Sequence, residues 1–315
     1  MTRRALCAWE LQRLTDRHLA ILKELERDHD ELVLVITHAE QAYTPEHPWS
    51  AGERMARAMP VLRANLTKPF FVLPIKRGDL SEAQYAVRIR LGAPRFATLV
   101  CASPREAAVA ARVLGCVSRV IEIPLDPPRG SDPPGSGALP PSMAGPVRRG
   151  LFVTRAQFFH VGHRAFVRQM AREQDEIIVL VAKANASHSI DHPATAGERL
   201  EMIRPLLARE VPGRSYLCAA PYVEDDGANF AELTLLLPEF QSVYTNSPST
   251  AAMAASDGYR VVSLAERVSA SGSDLRRRIV AGEPYEHLLP EDVLAVLGSS
   301  PALPRLCALA RAEIR

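Results

Sequence analysis

Short apolar runs alternate along the chain with segments of helical periodicity. In the later half the apolar runs cover residues 151–153, 177–181, 216–219, 242–245 and 259–263. Runs of this length with many β-branched residues are typical of buried parallel strands. Between them, residues 164–172 place Phe166, Val167 and Met170 on one helical face, and Thr195 with Glu198 forms a capping-box pattern that opens a helix over 195–208. The alternation predicts an α/β domain, with a parallel sheet covered by helices on both faces.

The sequence also repeats itself at the length of a domain. Residues 4–62 align with residues 149–207 at a constant offset of 145, with 17 identities in 59 pairs. A period of this length indicates a duplicated domain rather than a solenoid of small repeats. We therefore predict two tandem copies of a Rossmann-like fold. The predicted boundaries are 1–125 for the first copy, 126–148 for a linker rich in proline, glycine and serine, 149–297 for the second copy, and 298–315 for a tail.

Composition narrows the classes of partner. The 315 residues carry 38 basic and 36 acidic side chains, a formal charge of +2, so no net field draws the chain to nucleic acid or to an anionic membrane. Any phosphate binding must be local. The five cysteines contain no C-x-x-C pair, which favours reduced thiols and a cytoplasmic protein. No apolar run approaches the length that spans a membrane.

Two predicted helix beginnings in the second copy carry phosphate chemistry. His160 and His163 bracket Gly162 directly after the first predicted strand. Exposed backbone N–H groups and the helix dipole favour an anion there, and a glycine lets it approach. Residues 271–273, Ser-Gly-Ser, with Arg276 one turn later, offer hydroxyls and a guanidinium at another helix beginning. Each pattern alone is more often an ordinary helix start, but together, at the edge where such sheets bind ligands, they predict a polyphosphate site.

These stretches resemble the archaeal-type nicotinamide mononucleotide (NMN) adenylyltransferases of the H-x-G-H nucleotidyltransferase superfamily. Those enzymes carry G-R-x-Q-P-F-H-x-G-H, then S-H-S-x-x-x-P-x-T-A-G-E-R, and finally S-G-T-E-x-R-R-R. The corresponding stretches here are residues 154–163, 187–199 and 271–278, in the same order. The similarity covers nearly all of residues 149–297.

The resemblance implies transfer of a nucleoside monophosphate from a triphosphate, with ATP favoured, to the phosphate of a small acceptor. NMN is the favoured acceptor, which would give NAD and pyrophosphate. The resemblance also implies that Mg²⁺ binds together with the triphosphate rather than at a site formed by protein ligands alone. A homo-oligomer is a further possibility that it implies. The implied catalytic residues are His160, His163 and Arg276; the nucleotide-binding residues are Thr154, Arg155, Gly162, Ser271, Gly272 and Ser273; and the acceptor-binding residues are Arg199, Phe230 and Ser189.

Because the sequence departs from the family pattern at three positions, other substrates than ATP and NMN are considered as alternatives. Thr154 replaces a glycine, Phe159 replaces a proline, and Phe230 stands where a tryptophan stacks on nicotinamide. A cytidylyltransferase or adenylyltransferase acting on another phosphate or phosphonate metabolite is therefore the alternative. A nucleotide-binding regulator is the alternative outside enzymes.

The first copy lacks both phosphate-binding patterns. At the offset of 145, His160 and His163 correspond to Thr15 and His18, and Arg17 replaces the glycine, where its bulk blocks close approach. No counterpart of residues 271–278 precedes the linker. We therefore predict that residues 1–125 form a degenerate, pseudo-enzyme domain, in which Ser50 to Arg54 are retained for folding.

Overall fold

The computed structural model describes residues 2–101, 104–121, 147–221, 230–265 and 268–313. They divide into two compact units. The first unit comprises the described residues of 1–86, 96–147 and 234–239, and the second those of 87–95, 148–233 and 240–315. The predicted linker lies outside the described residues except at 147–148. This division differs from the predicted boundaries in three places. Residues 87–95 and the predicted tail group with the second unit, and residues 234–239 group with the first. Packing rather than chain order decides the grouping.

The first half of the chain forms one parallel sheet of five strands in the order β3-β2-β1-β4-β5. Most of its apolar strand residues are buried, as helices on both faces require, whereas Val117 and Val120 of the last strand are exposed. Its elements are β1 (Arg4–Trp9), α1 (Asp16–Asp28), β2 (Glu31–Ile36), α2 (Ala51–Asn65), β3 (Phe70–Pro74), α3 (Glu82–Gly92), β4 (Thr98–Cys101), α4 (Pro104–Leu114) and β5 (Val117–Val120).

The later half forms a second parallel sheet in the order β8-β7-β6-β9-β10. Its elements are β6 (Arg149–Thr154), α5 (Val161–Glu173), β7 (Glu176–Val181), α6 (Ala196–Glu210), β8 (Ser215–Ala219), α7 (Phe230–Leu236), β9 (Ser242–Tyr244), α8 (Pro248–Ser256), β10 (Arg260–Val262), α9 (Gly272–Ala281), a 3₁₀ turn (Glu286–Leu288), α10 (Glu291–Leu297) and α11 (Ala302–Glu313).

Both sheets have the same strand order, and the predicted α/β class is confirmed. In each, the first strand is central and the chain builds outward on one side before crossing to the other. Phe152 of β6, for example, pairs with Val179 of β7 and with Tyr244 of β9. The crevice at the carboxyl ends of β6 and β9 is therefore the topological switch point where such sheets bind ligands.

A buried arginine joins the loops that follow the first two strands of the second sheet. Arg199, in the first turn of α6, has none of its surface exposed. Its guanidinium donates hydrogen bonds to the carbonyl oxygens of Arg155 at 2.8 Å, Ala182 at 2.7 Å and Lys183 at 3.0 Å, and its Nε donates to Thr195 O at 3.2 Å. Burial lowers the pKa of Arg199 to about 9, so it still carries its charge at neutral pH.

The first unit contains the same arrangement around Arg54. This side chain is 1% exposed and donates to the carbonyl oxygens of Glu10 at 2.5 Å, Thr37 at 3.2 Å and His38 at 3.0 Å. Each acceptor lies 145 residues before its counterpart in the second unit. Ser50 caps α2 in a capping box with Glu53, as Thr195 caps α6 with Glu198. The retained Ser50 to Arg54 segment therefore holds the two strand-end loops together.

The predicted tail forms α11 and is part of the second unit. Arg305 donates to Glu198 at 2.8 and 3.0 Å and to the carbonyl of Pro193 at 2.6 Å, which ties α11 to the beginning of α6. No helix among the described residues meets the length and hydropathy of a membrane span by itself; α10 and α11 meet them only as a pair bent by 67°. The five cysteines, all within the described residues, form no disulfide.

Replacing Arg199 with methionine takes the guanidinium donor away from the carbonyl groups of Arg155 and Ala182. Those of Lys183 and Thr195 still accept backbone N–H groups. Each carbonyl left without a donor costs roughly 1–3 kcal/mol, so the substitution should lower the melting temperature of the second unit by about 6–12 °C. Arg54→Met should do the same to the first unit. Trp9 and Trp49, the only two tryptophans, both lie in the first unit. Tryptophan fluorescence therefore reports Arg54→Met but not Arg199→Met, whereas far-ultraviolet circular dichroism reports both.

The exposed Arg311→Met is the matched control and should shift either transition by less than about 2 °C. If the melting temperature of Arg199→Met also shifted by less than about 2 °C, the four carbonyl contacts would contribute little to the stability of the second unit.

Candidate active site

The two imidazoles at the start of α5 stack on each other. His160 is the N-cap residue and His163 the third helical residue, with ring centroids 3.7 Å apart and planes inclined by 21°. The backbone N–H of His160 donates to Nδ1 of His163 at 3.1 Å. The Thr154 hydroxyl lies 2.9 Å from Nε2 of His163 and also accepts from the N–H of Ala156 at 3.1 Å.

These contacts define the proton arrangement of His163. Burial, with a further contribution from His160, lowers the pKa of His163 well below its usual range, so the ring is neutral. Since Nδ1 accepts a hydrogen bond, the ring hydrogen sits on Nε2 and is donated to Thr154 Oγ1. Burial also lowers the pKa of His160 to about 4. The Nδ1 atom of His160 is buried and has no hydrogen-bond partner, which is uncommon for a buried polar atom.

The start of α9 presents its polar groups in the same region. The Oγ of Ser271 accepts from the N–H of Asp274 at 3.2 Å and lies 3.2 Å from the Oγ of Ser273. Arg276 donates through Nη1 to the carbonyl of Gln157 at 3.1 Å and through Nη2 to Asp191 at 3.0 Å. The Asp191 side chain is 80% exposed, so this ion pair is worth at most about 1 kcal/mol and can be exchanged for a bound anion.

The two helix beginnings lie next to each other, as the sequence patterns require if they share one ligand. A methyl group placed on Gly162 would lie 3.8 Å from the carbonyl oxygen of Ala270, just before α9. One placed on Gly272 would lie 3.2 Å from the carbonyl oxygen of Gln157, just before α5. Gly162 also accommodates the His160 ring, which would be 3.0 Å from such a methyl group. The structure therefore brings together His160, His163, Gly162 and the 271–276 segment.

Basic side chains surround the neighbouring loops. Arg155 is exposed, and the pKa of His192 is lowered by burial and then by the positive charges of Arg199 and Lys183, with Arg155 contributing less. Nε2 of His192 is buried and has no hydrogen-bond partner. Sequence reasoning did not include His192 among the site residues. The available signal was the identity of His47 and His192 in the repeat alignment.

A cleft of about 360 Å³ runs along α5 beside this region. Gln169 holds one wall in place, because its amide donates to the carbonyl of Ser263 at 3.2 Å and accepts from the N–H of Ala265 at 3.0 Å. The cleft therefore borders Leu264 and Ala265, which follow β10, and Val161 at the start of α5. It is lined by Val161, Arg164, Ala165, Arg168, Gln169, Arg172, Leu264, Ala265 and Val268.

The contacts of Arg199 differ from those that the implied acceptor-clamp role requires. All four of the contacts described above join its guanidinium to backbone carbonyls, and none of its surface is exposed. Binding an acceptor phosphate would take this donor away from the carbonyls of Arg155 and Ala182, at a cost of roughly 1–3 kcal/mol each. Arg199 therefore positions the loops of the site instead of contacting a ligand.

The surroundings of Phe230 also differ from those that the implied stacking role requires. Phe230 is completely buried, and its ring contacts Phe240 and Tyr259 with centroid distances of 6.4 and 5.6 Å. Neither ring face is available to a nicotinamide, so the residue belongs to an aromatic core cluster. Ser189, by contrast, is exposed, and its Oγ accepts from the N–H of His192 at 3.1 Å. Its acceptor-binding role stays a prediction.

The depressed pKa of His160 should make the second unit less stable in acid. The group has a pKa near 6.5 when unfolded and about 4 when folded, so the unfolded state binds more protons between these values and stability falls as pH decreases. For His160 alone the loss at pH 5 is about 2 kcal/mol. His160→Asn should reduce by about that amount the difference in unfolding free energy between pH 7 and pH 5, measured by urea unfolding.

His287→Asn, which changes an exposed histidine, is the control. An unchanged pH dependence in His160→Asn would contradict the burial of a neutral imidazole at the start of α5.

Comparison with known proteins gives a consistent family assignment. The Cytidylyltransferase-like family model matches residues 151–223, within the second unit. The nicotinamide-nucleotide adenylyltransferase of Methanocorpusculum labreanum is 34% identical over 170 residues, which cover 53% of this chain and 100% of that protein. The enzyme of the same name from Pyrococcus horikoshii is 34% identical over 165 residues, covering 51% of this chain and 89% of that protein.

Among solved structures, a bifunctional NMN adenylyltransferase/ADP ribose pyrophosphatase from Francisella tularensis superposes with a TM-score of 0.45 at 11% identity, covering 54% of each chain. The sequence relatives are much closer. They are enzymes, which favours an enzyme over the alternative of a nucleotide-binding regulator. Since a relative is aligned over its whole length at 34% identity, this chain belongs to the nicotinamide-nucleotide adenylyltransferase family and is a nucleotidyltransferase with an adenylyltransferase function.

Proposed function

We propose that the second unit transfers the adenylyl group of ATP to the phosphate of NMN, forming NAD and releasing pyrophosphate. The observation that carries the proposal is the convergence of two helix beginnings, of α5 and α9, with two imidazoles and an exchangeable arginine between them. A helix N-terminus with exposed N–H groups is a ready anion site, and two of them suit a polyphosphate. The family relatives that carry this name support the choice of substrates.

In this mechanism an oxygen of the NMN phosphate attacks the α-phosphorus of ATP, and the bond between that phosphorus and the β-phosphate bridging oxygen breaks as pyrophosphate leaves. Positioning and charge neutralisation supply most of the catalysis, so no covalent intermediate is needed. The Nδ1 atom of His160, which has no partner, would bind a phosphate oxygen. Arg276 would exchange its exposed partner Asp191 for the β- and γ-phosphates.

Thr154 modifies this arrangement because its hydroxyl accepts the Nε2 hydrogen of His163. A triphosphate oxygen that used the same hydrogen would have to displace the hydroxyl or share the ring nitrogen with it. In the family pattern a glycine stands at this position and leaves the nitrogen open. Thr154 therefore belongs to the nucleotide-binding surface, where it sets how deeply the triphosphate enters.

The divalent ion that neutralises the triphosphate would be Mg²⁺. Within the second unit's described residues no three histidine, cysteine or carboxylate side chains come close enough to hold an ion by themselves. Ser271, Ser273 and Asp191 offer oxygen atoms next to Arg276, and hard cations prefer such ligands. These few oxygens fit an ion that takes most of its coordination from phosphate and water, where it supplies positive charge to the leaving pyrophosphate.

The nucleoside of the triphosphate would lie in the cleft along α5. Its wall at Leu264 and Ala265 would present backbone groups that can pair with the edge of a base, and Gln169 holds this segment through Ser263 and Ala265. Arg164 lines the same cleft near the start of α5 and would face the ribose and phosphates.

Transfer to another phosphate or phosphonate metabolite, from ATP or from CTP, is the second candidate. The burial of Phe230 and Arg199 favours it, because neither residue offers the stacking ring or phosphate clamp expected for NMN. The reaction at the triphosphate is the same in both candidates.

A substrate panel separates them. The purified chain is offered each of the four nucleoside triphosphates with NMN, nicotinic acid mononucleotide or a set of small phosphates and phosphonates, and pyrophosphate release is measured. We expect ATP with NMN to give the highest kcat/KM. Turnover with a phosphonate but not with NMN would replace the first candidate by the second, and absence of turnover with every pair would contradict both.

His163→Ala removes an imidazole from the proposed triphosphate site. Loss of one preorganised donor from such a site typically lowers turnover 10²- to 10³-fold, and we expect that loss in kcat here. His18→Ala is the matched control, because His18 occupies the aligned position in the first unit and forms the corresponding capping box with Thr15. It should leave kcat within twofold. Equal losses in the two variants would place the role of the histidine in folding rather than in catalysis.

A further inference from the structure

Three potential metal ligands meet in the first unit at the carboxyl ends of β1 and β2. Glu10 follows β1, His38 follows β2, and His47 lies shortly before α2. One ligand atom of each lies within 4.8 Å of those of the other two. Nδ1 of His38 is 3.5 Å from one carboxylate oxygen of Glu10, and Nε2 of His47 is 3.5 Å from the other. The two imidazole rings are 5.6 Å apart.

The protein itself does not satisfy these nitrogen atoms. Nδ1 of His38 and Nε2 of His47 are both buried, and neither has a hydrogen-bond partner. Their distance of 3.5 Å to the carboxylate is long for a hydrogen bond between nitrogen and oxygen. Buried polar atoms are nearly always paired, so two that face one carboxylate indicate a bound group between them.

The spacing fits a tetrahedral transition-metal ion. With zinc-to-ligand bonds of about 2.0–2.1 Å, neighbouring ligand atoms lie roughly 3.3–3.4 Å apart. The two distances of 3.5 Å are within a few tenths of this value, but they run to different oxygens of Glu10, and one ligand atom from each residue lies within 4.8 Å of the others. A small rotation of these side chains therefore brings the three ligand atoms to the distances of a tetrahedral site. Two imidazoles and one carboxylate are also a usual ligand set for Zn²⁺ sites that keep a fourth position for water.

The backbone that carries the ligands is held in place without a metal. Arg54 donates to the carbonyl oxygens of both Glu10 and His38. The N–H of His47 donates to the Thr44 hydroxyl at 3.0 Å, and the N–H of Thr44 donates to the carbonyl of His47 at 3.1 Å. A site whose ligands are already oriented loses little conformational entropy on binding.

The same positions carry different chemistry in the second unit. At the offset of 145, Glu10 corresponds to Arg155 and His38 to Lys183, while His47 corresponds to His192. Two basic residues that favour phosphate are thus replaced by a carboxylate and an imidazole, which favour a cation. The loss of the phosphate motif in this unit therefore accompanies the gain of a ligand set for a metal.

We propose that Glu10, His38 and His47 bind one Zn²⁺-like divalent transition-metal ion in the first unit. The ion would link the loop after β1, the loop after β2 and the segment that leads into α2. The site is independent of the substrates proposed for the second unit.

The test uses the full chain, purified without a histidine tag and treated with chelator. Co²⁺ is added first, because its visible absorption reports tetrahedral coordination, and Zn²⁺ is then used to displace it. We expect one Co²⁺ per chain with a tetrahedral spectrum, displaced by Zn²⁺ but not by Mg²⁺. Glu10→Gln, which keeps the shape of a half-exposed side chain, and His47→Ala should each weaken binding at least tenfold.

Two controls distinguish this site from other histidines. His287→Ala removes an exposed histidine, and His192→Ala removes the aligned histidine of the second unit; both should keep wild-type affinity. Circular dichroism without metal verifies that Glu10→Gln is folded. The proposal is overturned if the wild type binds no Co²⁺ or Zn²⁺, if Glu10→Gln binds as tightly as the wild type, or if His192→Ala abolishes binding.

Discussion

The structure of each unit depends on one arginine buried beneath the carboxyl end of its sheet. Arg199 and Arg54 donate to carbonyls at the ends of the first two strands. These carbonyls belong to the loops that carry Arg155, His160 and Lys183 in the second unit and Glu10 and His38 in the first. Lys183 and His38, at equivalent positions in these loops, both have positive φ angles, of 50° and 49°. This backbone conformation is unfavourable for residues with a side chain, and the guanidinium hydrogen bonds help to stabilise it.

Because the arginine binds backbone groups, it holds the loops in place whatever their side chains are. The second unit uses this freedom to present Arg155, Lys183 and His192 beside the starts of α5 and α9, a surface that suits anions. The first unit presents Glu10, His38 and His47 on the same framework, a surface that suits a cation. One backbone arrangement thus supports two opposite electrostatic environments, which explains how the A-G-E-R segment persists in both units although the phosphate motif does not.

The fold was predictable from the sequence because its signals are local or repeated. Apolar runs predicted the strands of the second sheet, Thr195 and Glu198 predicted the beginning of α6, and the offset of 145 predicted that the two sheets would match. The meeting of His160 with the 271–276 segment was also predictable, since strand ends of a parallel sheet share one edge.

The roles of Arg199 and Phe230 were not predictable in the same way. The carbonyls that bind Arg199 come from loops 16 to 44 residues away, and the rings around Phe230 come from the chain beyond α7, so only packing reveals that both are buried. The Glu10, His38 and His47 cluster was missed for a related reason. Its members are separated by up to 37 residues and match no metal-binding motif, so the sequence gives no reason to group them.

The central claim is that one triphosphate lies across the starts of α5 and α9. Hydrogen exchange of the full chain, with and without a non-hydrolysable ATP analogue and Mg²⁺, tests it directly. The account predicts slower exchange at the backbone amides of residues 161–164 and 272–275, with no change at the corresponding start of α1 in the first unit. Protection at the start of α1, or none at the starts of α5 and α9, would contradict it.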